Sequence, residues 1–417
     1  MDGHDNPNFK RRRILFGAAS LGLALIAVVA WLTLRDPGDV SNTKATFTTT
    51  TTKPVAPTDV KWPLYGYDAA RTKWFRTSAK LGPPYHRMWS YRGKKVLEFS
   101  PVVGPTGLYL LDNGATVRRI NKETGKQIWR RGLGSLAASS PALPGDGRVY
   151  AVTLLTSPGS GHGSATAMNA ITGKTIWSRQ LPSRAESSPL ISGNRMIFGT
   201  EDGTVFCLNK ANGHTVWTYS AGGSVKAALA LSSGRLYFGD YSGTIQAISL
   251  KSGKRIWARS AGGRFYSTPA VAWGRIYEGS TDGRMYSYTT SGELAWARQT
   301  GNYVYSSPAV ADIPGIGPTV FAGSYDGTFY AWSAKTGSTT WTYPAGGKIS
   351  GGAFVIGNLV WFSDLGNKRV VALRASSGKW VFQIGTGAFS PAVTDGRNMY
   401  LVGYGDMFGL RPVHNKK

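Results

Sequence analysis

A chain of 417 residues with 48 Lys and Arg against 22 Asp and Glu carries a formal net charge of +26, and 41% of its residues are hydrophobic. That composition supports a large core and excludes a disordered polyelectrolyte. One cysteine, Cys207, excludes an intrachain disulfide framework, and five isolated histidines, His4, His86, His162, His214 and His414, show no metal-ligand spacing.

Residues 1–13 form a polar tail that ends in Lys10-Arg11-Arg12-Arg13, and residues 14–34 are 21 uncharged, mostly apolar residues. As a helix, 14–34 reaches across a bilayer hydrocarbon core, and the basic cluster before it holds that end in the cytoplasm. The sequence therefore predicts a single-pass protein of the cell membrane, with one N-terminal transmembrane helix and the rest of the chain extracytoplasmic, periplasmic or extracellular. A cleaved signal peptide is the competing reading, because Val28-Val29-Ala30 offers a small-residue site; Trp31-Leu32-Thr33-Leu34, however, prolongs the apolar run. Residues 35–60 are rich in Thr and Pro, cannot form an apolar core and read as a spacer. Residues 61–84, with Trp62-Pro63-Leu64-Tyr65-Gly66-Tyr67-Asp68, are aromatic enough to pack across one face of the following domain or on its last unit.

From residue 85 a repeat governs the chain. A Gly-x-x-x-Trp core recurs with Trp129, Trp177, Trp217, Trp257, Trp296 and Trp341, at intervals of 48, 40, 40, 39 and 45 residues. Each unit opens on Ser-Pro or an equivalent pair, such as Ser140-Pro141, Ser188-Pro189, Thr268-Pro269 and Ser307-Pro308. Short Val, Ile, Tyr and Phe runs follow, separated by turns such as Asp202-Gly203 and Asp282-Gly283. Four short antiparallel strands per repeat make one propeller blade. Eight opening pairs predict eight blades over 85–413, before a basic tail at 414–417.

The two ends of the array complement each other. The last set, 389–413, has no Gly-x-x-x-Trp strand after it, whereas Trp89 sits in Tyr85-His86-Arg87-Met88-Trp89-Ser90-Tyr91 with no inner strands before it. The N-terminal strand should complete the eighth blade and close the ring. In the last complete repeat, Ser377-Gly378-Lys379-Trp380-Val381-Phe382 shifts Trp by two, which puts Phe382 at the docking position.

The pattern Met168-Asn169-Ala170-Ile171-Thr172-Gly173-Lys174-Thr175-Ile176-Trp177 resembles the tryptophan-docking repeat of PQQ-like propellers, a superfamily of quinone enzymes, cofactor-free interaction propellers and sensor domains. The resemblance covers 85–413 and implies an all-β, eight-bladed fold without fixing an activity. The family's acidic residue four places before the turn glycine is replaced here, by Asn121, Asn169, Asn209, Ser249, Tyr288, Ser333 and Arg374. A bare eight-bladed, membrane-attached chain is most similar to the envelope-assembly members, although no Cys follows the apolar segment to receive lipid.

For an enzyme, the resemblance implies PQQ and calcium and a dehydrogenase activity. The adjacent cysteine pair of the alcohol dehydrogenases is missing and no acidic cluster supplies the roughly six oxygens calcium takes. No Ser-His-Asp constellation or phosphate loop is present either. The reading is a chain without catalytic residues, metal or cofactor, with a PQQ-dependent dehydrogenase as the alternative.

Alignment on the opening pairs brings the preceding residues to one end of the central channel. Those residues are Glu98 in the first set, Arg184 and Glu186 in the third, Lys226 in the fourth, and Arg264 and Tyr266 in the fifth. Tyr303 and Tyr305 follow in the sixth, Lys348 in the seventh and Phe389 in the eighth. Arg and aromatic residues on a rigid rim are the types enriched in interface hot spots. From Lys61 onward 41 basic residues face 17 acidic ones, a balance that favours acidic partners. The expected function is a membrane-anchored scaffold of cell-envelope protein assembly or secretion, its basic, aromatic mouth receiving an acidic or extended segment of an envelope protein. Binding of an acidic cell-wall polymer is a further alternative, and nucleic acid fits least, because no nucleic-acid module is visible.

Overall fold

The computed structural model describes residues 38–49, 61–387 and 389–413. The chain divides into two units, residues 1–40 and residues 41–417, and the propeller lies in the second. Among the described residues no helix is long and apolar enough to cross a membrane; the expected span over 14–34 lies outside them.

Eight sheets surround one channel, antiparallel except where Trp74–Phe75 adds a parallel strand beside Phe354–Ile356. Blade 3 shows the pattern: Leu190–Ser192 lines the channel, then come Arg195–Gly199, Thr204–Asn209 and, outermost, Thr215–Ser220. Blade 2 departs from it at its inner edge, where an isolated bridge from Ala142 to Tyr150 stands for the first strand. Blade 8 consists of Ala392–Thr394, Met399–Val402, Asp406–Pro412 and the N-terminal strand Tyr85–Arg92. Trp89 pairs with Gly409 there, so the last blade is closed by the first strand of the repeat array.

The repeated marks have local causes. In blade 3 the Trp177 ring of the preceding blade lies on Gly213, where an added Cβ would stand 2.7 Å from the indole and where φ is +77°. Only glycine fits both demands. The indole Nε1 donates to the Lys210 carbonyl at 2.9 Å. The same seat joins Trp89 to Gly125, Trp217 to Gly253 and Trp341 to Gly378. Between blades 7 and 8 it is replaced, as the sequence suggested, by Phe382, edge-on to Tyr85 at 5.2 Å. Asn at the family's acidic position keeps the acceptor: Asn169 Oδ1 takes the amides of Ile171 and Thr172, both at 2.9 Å. The opening Ser or Thr links neighbouring blades. Ser188 Oγ accepts from Ser140 N at 2.9 Å, Thr268 Oγ1 from Ala228 N at 3.1 Å and Ser307 Oγ from Thr268 N at 2.9 Å.

Residues 61–75 thread the channel. Their carbonyls accept from the innermost strands: Trp62 from Val103, Pro63 from Leu143, Ala69 from Leu231, Ala70 from Val271, Thr72 from Val310 and Lys73 from Val355. Six inner edges that would otherwise present unpaired amides are thereby satisfied. The innermost carbonyls meet cations: Arg71 donates to Leu229 O at 2.9 Å and Ser188 O at 3.2 Å, and Lys73 Nζ to Pro308 O at 3.0 Å. The segment is a plug. Of the placements the sequence allowed, one face of the propeller or its last blade, the face is the nearer, although the segment enters the channel instead of covering it.

Residues 41–49, expected to be spacer, lie along blade 5. Asn42 N donates to Ala295 O at 2.7 Å and its side chain to Glu293 Oε1 at 2.6 Å. Arg298 Nη2 reaches Ser41 Oγ at 2.6 Å, Arg275 Nη2 reaches Ala45 O at 2.6 Å, and Phe47 stacks on Trp273 at 6.0 Å. The segment has no core of its own and needs none, because its backbone and one Phe use the blade's edge. Ala295 is consequently 2% exposed, against 44–46% for Ile128, Ile176, Val216 and Ile256 at the same place in blades 1 to 4.

Candidate functional site

With one end of the channel plugged, the other end forms a mouth built from the connectors that enter each blade and the turns beside them. Each turn is tied to its connector by a main-chain bond: Glu201 N to Arg184 O at 2.9 Å, Tyr241 N to Ser224 O at 3.0 Å and Tyr325 N to Tyr303 O at 2.9 Å. Six of the ten residues selected from sequence, Glu98, Glu186, Lys226, Tyr266, Tyr305 and Phe389, line one cavity of about 50 Å³. Tyr303 stands beside it with its ring 5.7 Å from Tyr305, while Arg184, Arg264 and Lys348 belong to the rim.

The mouth is not uniformly basic, because carboxylates stand among the cations expected there. Lys226 Nζ lies 3.1 Å from Glu186 Oε2 and 2.7 Å from Glu201 Oε1, and Arg184 Nε lies 3.3 Å from Glu201 Oε2. Two of the four selected cations are therefore spent on carboxylates. Burial pulls the Lys226 ammonium down, but the combined pull of Glu201 and Glu186 outweighs it and raises its pKa. Arg264 and Lys348 remain exposed, over the rings of Tyr241 at 5.8 Å and Tyr325 at 5.6 Å.

Tyr266 donates to Glu186 Oε1 at 2.6 Å, and burial followed by that carboxylate pushes its phenol well above the ordinary range. Glu98 accepts from Asn113 Nδ2 at 2.9 Å. Burial raises the Glu98 pKa despite this bond, and Glu186 raises it further.

Sequence reasoning missed Tyr65, Glu201, Tyr241 and Tyr325. Tyr65 comes from the plug, floors the cavity and donates to Ser307 Oγ at 3.3 Å. No local signal placed it there. The other three occupy equivalent places just before the Asp-Gly or Ser-Gly turns, so phasing those turns as well as the opening pairs was the signal that could have found them.

The fold and the mouth define a class: a closed, tryptophan-docked propeller with its own chain in the channel and a small mixed-charge cavity at the open end. The chain belongs to the family described as outer membrane protein assembly factor BamB, whose model matches residues 113–260, 207–313 and 307–412. Among solved structures, BamB from Moraxella catarrhalis is similar at 21% identity and a TM-score of 0.62, over 79% of this chain and 100% of that one. The computationally designed Ika8 protein is similar at 14% identity and a TM-score of 0.65, over 78% and 99%. Quinohemoprotein alcohol dehydrogenase ADHIIG from Pseudomonas putida HK5 follows at 13% and 0.69, over 86% and 81%. At these identities the structures show a shared fold. No curated protein matches the chain.

The mouth does not fit the quinone of such dehydrogenases. A cavity of about 50 Å³ is small beside the roughly 300–1,000 Å³ of ordinary small-molecule pockets. Two carboxylates face it where the carboxylates of PQQ would need cations, and Lys226 is already held by acids. Among the described residues no three His, Cys, Asp or Glu converge as metal ligands.

Proposed function

We propose that this chain is a noncatalytic scaffold of cell-envelope protein assembly or secretion, anchored in the membrane through residues 14–34, whose channel mouth receives an extended segment of a partner polypeptide. The observation that carries the reading is the asymmetry of the channel: the chain's own residues 61–75 fill one end, and the other presents tyrosines and free cations on a rigid rim. A closed ring suits this role, because its blades hold the rim still while short connectors set its chemistry. Membership of the assembly-factor family supports a protein partner. Likeness to quinohemoprotein alcohol dehydrogenases favours the dehydrogenase reading, which the size and charge of the cavity oppose; saturable binding of PQQ with calcium to the purified chain would reverse that ranking.

The test is photocrosslinking in cells from position 303, at the edge of the mouth. Wild type should capture one envelope protein, and the pair Arg264→Ser and Lys348→Ser should reduce its yield severalfold without lowering the melting temperature. These two cations are chosen because neither neutralises a buried carboxylate, so their loss strands no charge. Equal capture by the variant would sink the assignment of the rim.

A further inference from the structure

We propose that the cavity in the mouth is a socket for one lysine side chain of the partner polypeptide, with the ammonium received by Glu98 between aromatic faces. This rests on the mouth being a polypeptide site and names the anchor that site takes.

Accounting for charge singles out Glu98. Glu186 is held by Lys226 and Tyr266, and Glu201 by Lys226 and Arg184. Glu98 has one neutral partner, Asn113 on Oε2, and the charged group acting on it is a second carboxylate, Glu186. Its Oε1 has no partner among the described residues. A half-buried carboxylate that lines the cavity without a cation is a group that a cationic ligand can pair with. Ser390 is an independent sign of a polar ligand. It is 2% exposed, lines the same cavity, and its hydroxyl has no partner among the described residues.

The walls select the kind of cation. Tyr65, Phe99, Tyr266, Tyr305 and Phe389 bound the cavity, and ring faces attract an ammonium. About 50 Å³ suits the compact head of lysine better than the planar fork of arginine. Outside the cavity, exposed Arg264 and Lys348 lie over tyrosine rings with no carboxylate partner. They favour acidic residues on either side of the lysine. The segment recognised is thus a lysine flanked by acids.

The experiment uses the purified full-length chain and fluorescent pentapeptides of sequence Glu-Ser-Lys-Ser-Glu, or the same with norleucine for lysine. Wild type should bind the lysine peptide at least about tenfold more tightly than the norleucine peptide. Glu98→Gln, which keeps an acceptor for Asn113, should bind both alike at an unchanged melting temperature. Equal binding of the two peptides by wild type, a lysine preference that survives Glu98→Gln, or no binding of either peptide overturns the socket. Capture from position 303 in cells separates the two levels: if the peptides fail and capture persists, the socket alone falls, and if capture fails too, the reading of the mouth falls with it.

Discussion

A single indole resting on a single glycine makes the junction between neighbouring blades, and its cost can be read from two alanine substitutions. Gly253 and Gly234 share a left-handed backbone, with φ of +71° and +75°, but a Cβ on Gly253 would sit 2.7 Å from Trp217 whereas one on Gly234 meets nothing within 4 Å. Both alanines should incur the backbone strain of about 1–2 kcal/mol. Gly253→Ala should lose about 1–3 kcal/mol more, because the indole must leave its seat and its 3.1 Å bond to Leu250 O. Urea unfolding of both variants measures the difference, and equal losses would show that the seat contributes nothing to holding the blades. The motif was plain in the sequence, since spacing alone exposed it, and its partner was not: which glycine each Trp covers depends on the next blade being beside it.

Among the elements, the plug was the least readable. Its Arg71 and Lys73 looked like ordinary surface cations of a lead-in, yet both are fully buried against carbonyls of the inner strands. Burial, and then Arg71, pulls the Lys73 ammonium from 10.5 down to about 7, against the attraction of Asp68 and Glu278. Between those two values the unfolded chain holds the proton and the folded chain does not, so stability rises with pH across that window. Below about 7 both states are charged and the cost is constant; above about 10.5 it is gone. Wild type should therefore gain stability over Lys73→Met as pH rises from about 7 towards 10. The comparison is best made with Glu278→Gln in both proteins, which stops that neighbouring buried carboxyl from titrating. A difference that stays level over this range, measured by urea midpoints, would show that the ammonium keeps its solvation and that the plug is looser than described. Residues 41–49 are a milder case: Ala295, where blades 1 to 4 expose Ile or Val, was a visible hint that something covers blade 5.

For the whole molecule, closure is the property on which the rest depends. Tyr85–Arg92 pairs along the full length of Asp406–Pro412, and Trp89 also seats on Gly125 of blade 1. Deleting residues 85–92 should remove one strand and both junctions of blade 8 together, Trp89 on Gly125 and Phe382 on Tyr85, baring the buried Met407 and Leu410. The expected outcome is a lower melting temperature and new protease cleavage between residues 389 and 413. An unchanged melting curve would mean that blade 8 stands without its outer strand.

The sequence by itself determined the repeat, the blade number, the closure between the chain ends and six of the residues around the cavity, because each of these follows from a local period of strand, turn and glycine carried unchanged through the fold. Tertiary structure alone decided the rest. Arg184 and Lys226 read as free cations until the ring brought Glu201 and Glu186 beside them, and Tyr65 had no role until residues 61–75 entered the channel. The net charge of a chain adds up residue by residue, whereas the charge of a mouth depends on which side chains from four or five distant blades lie within a few ångströms of one another, and that distance is set by the ring.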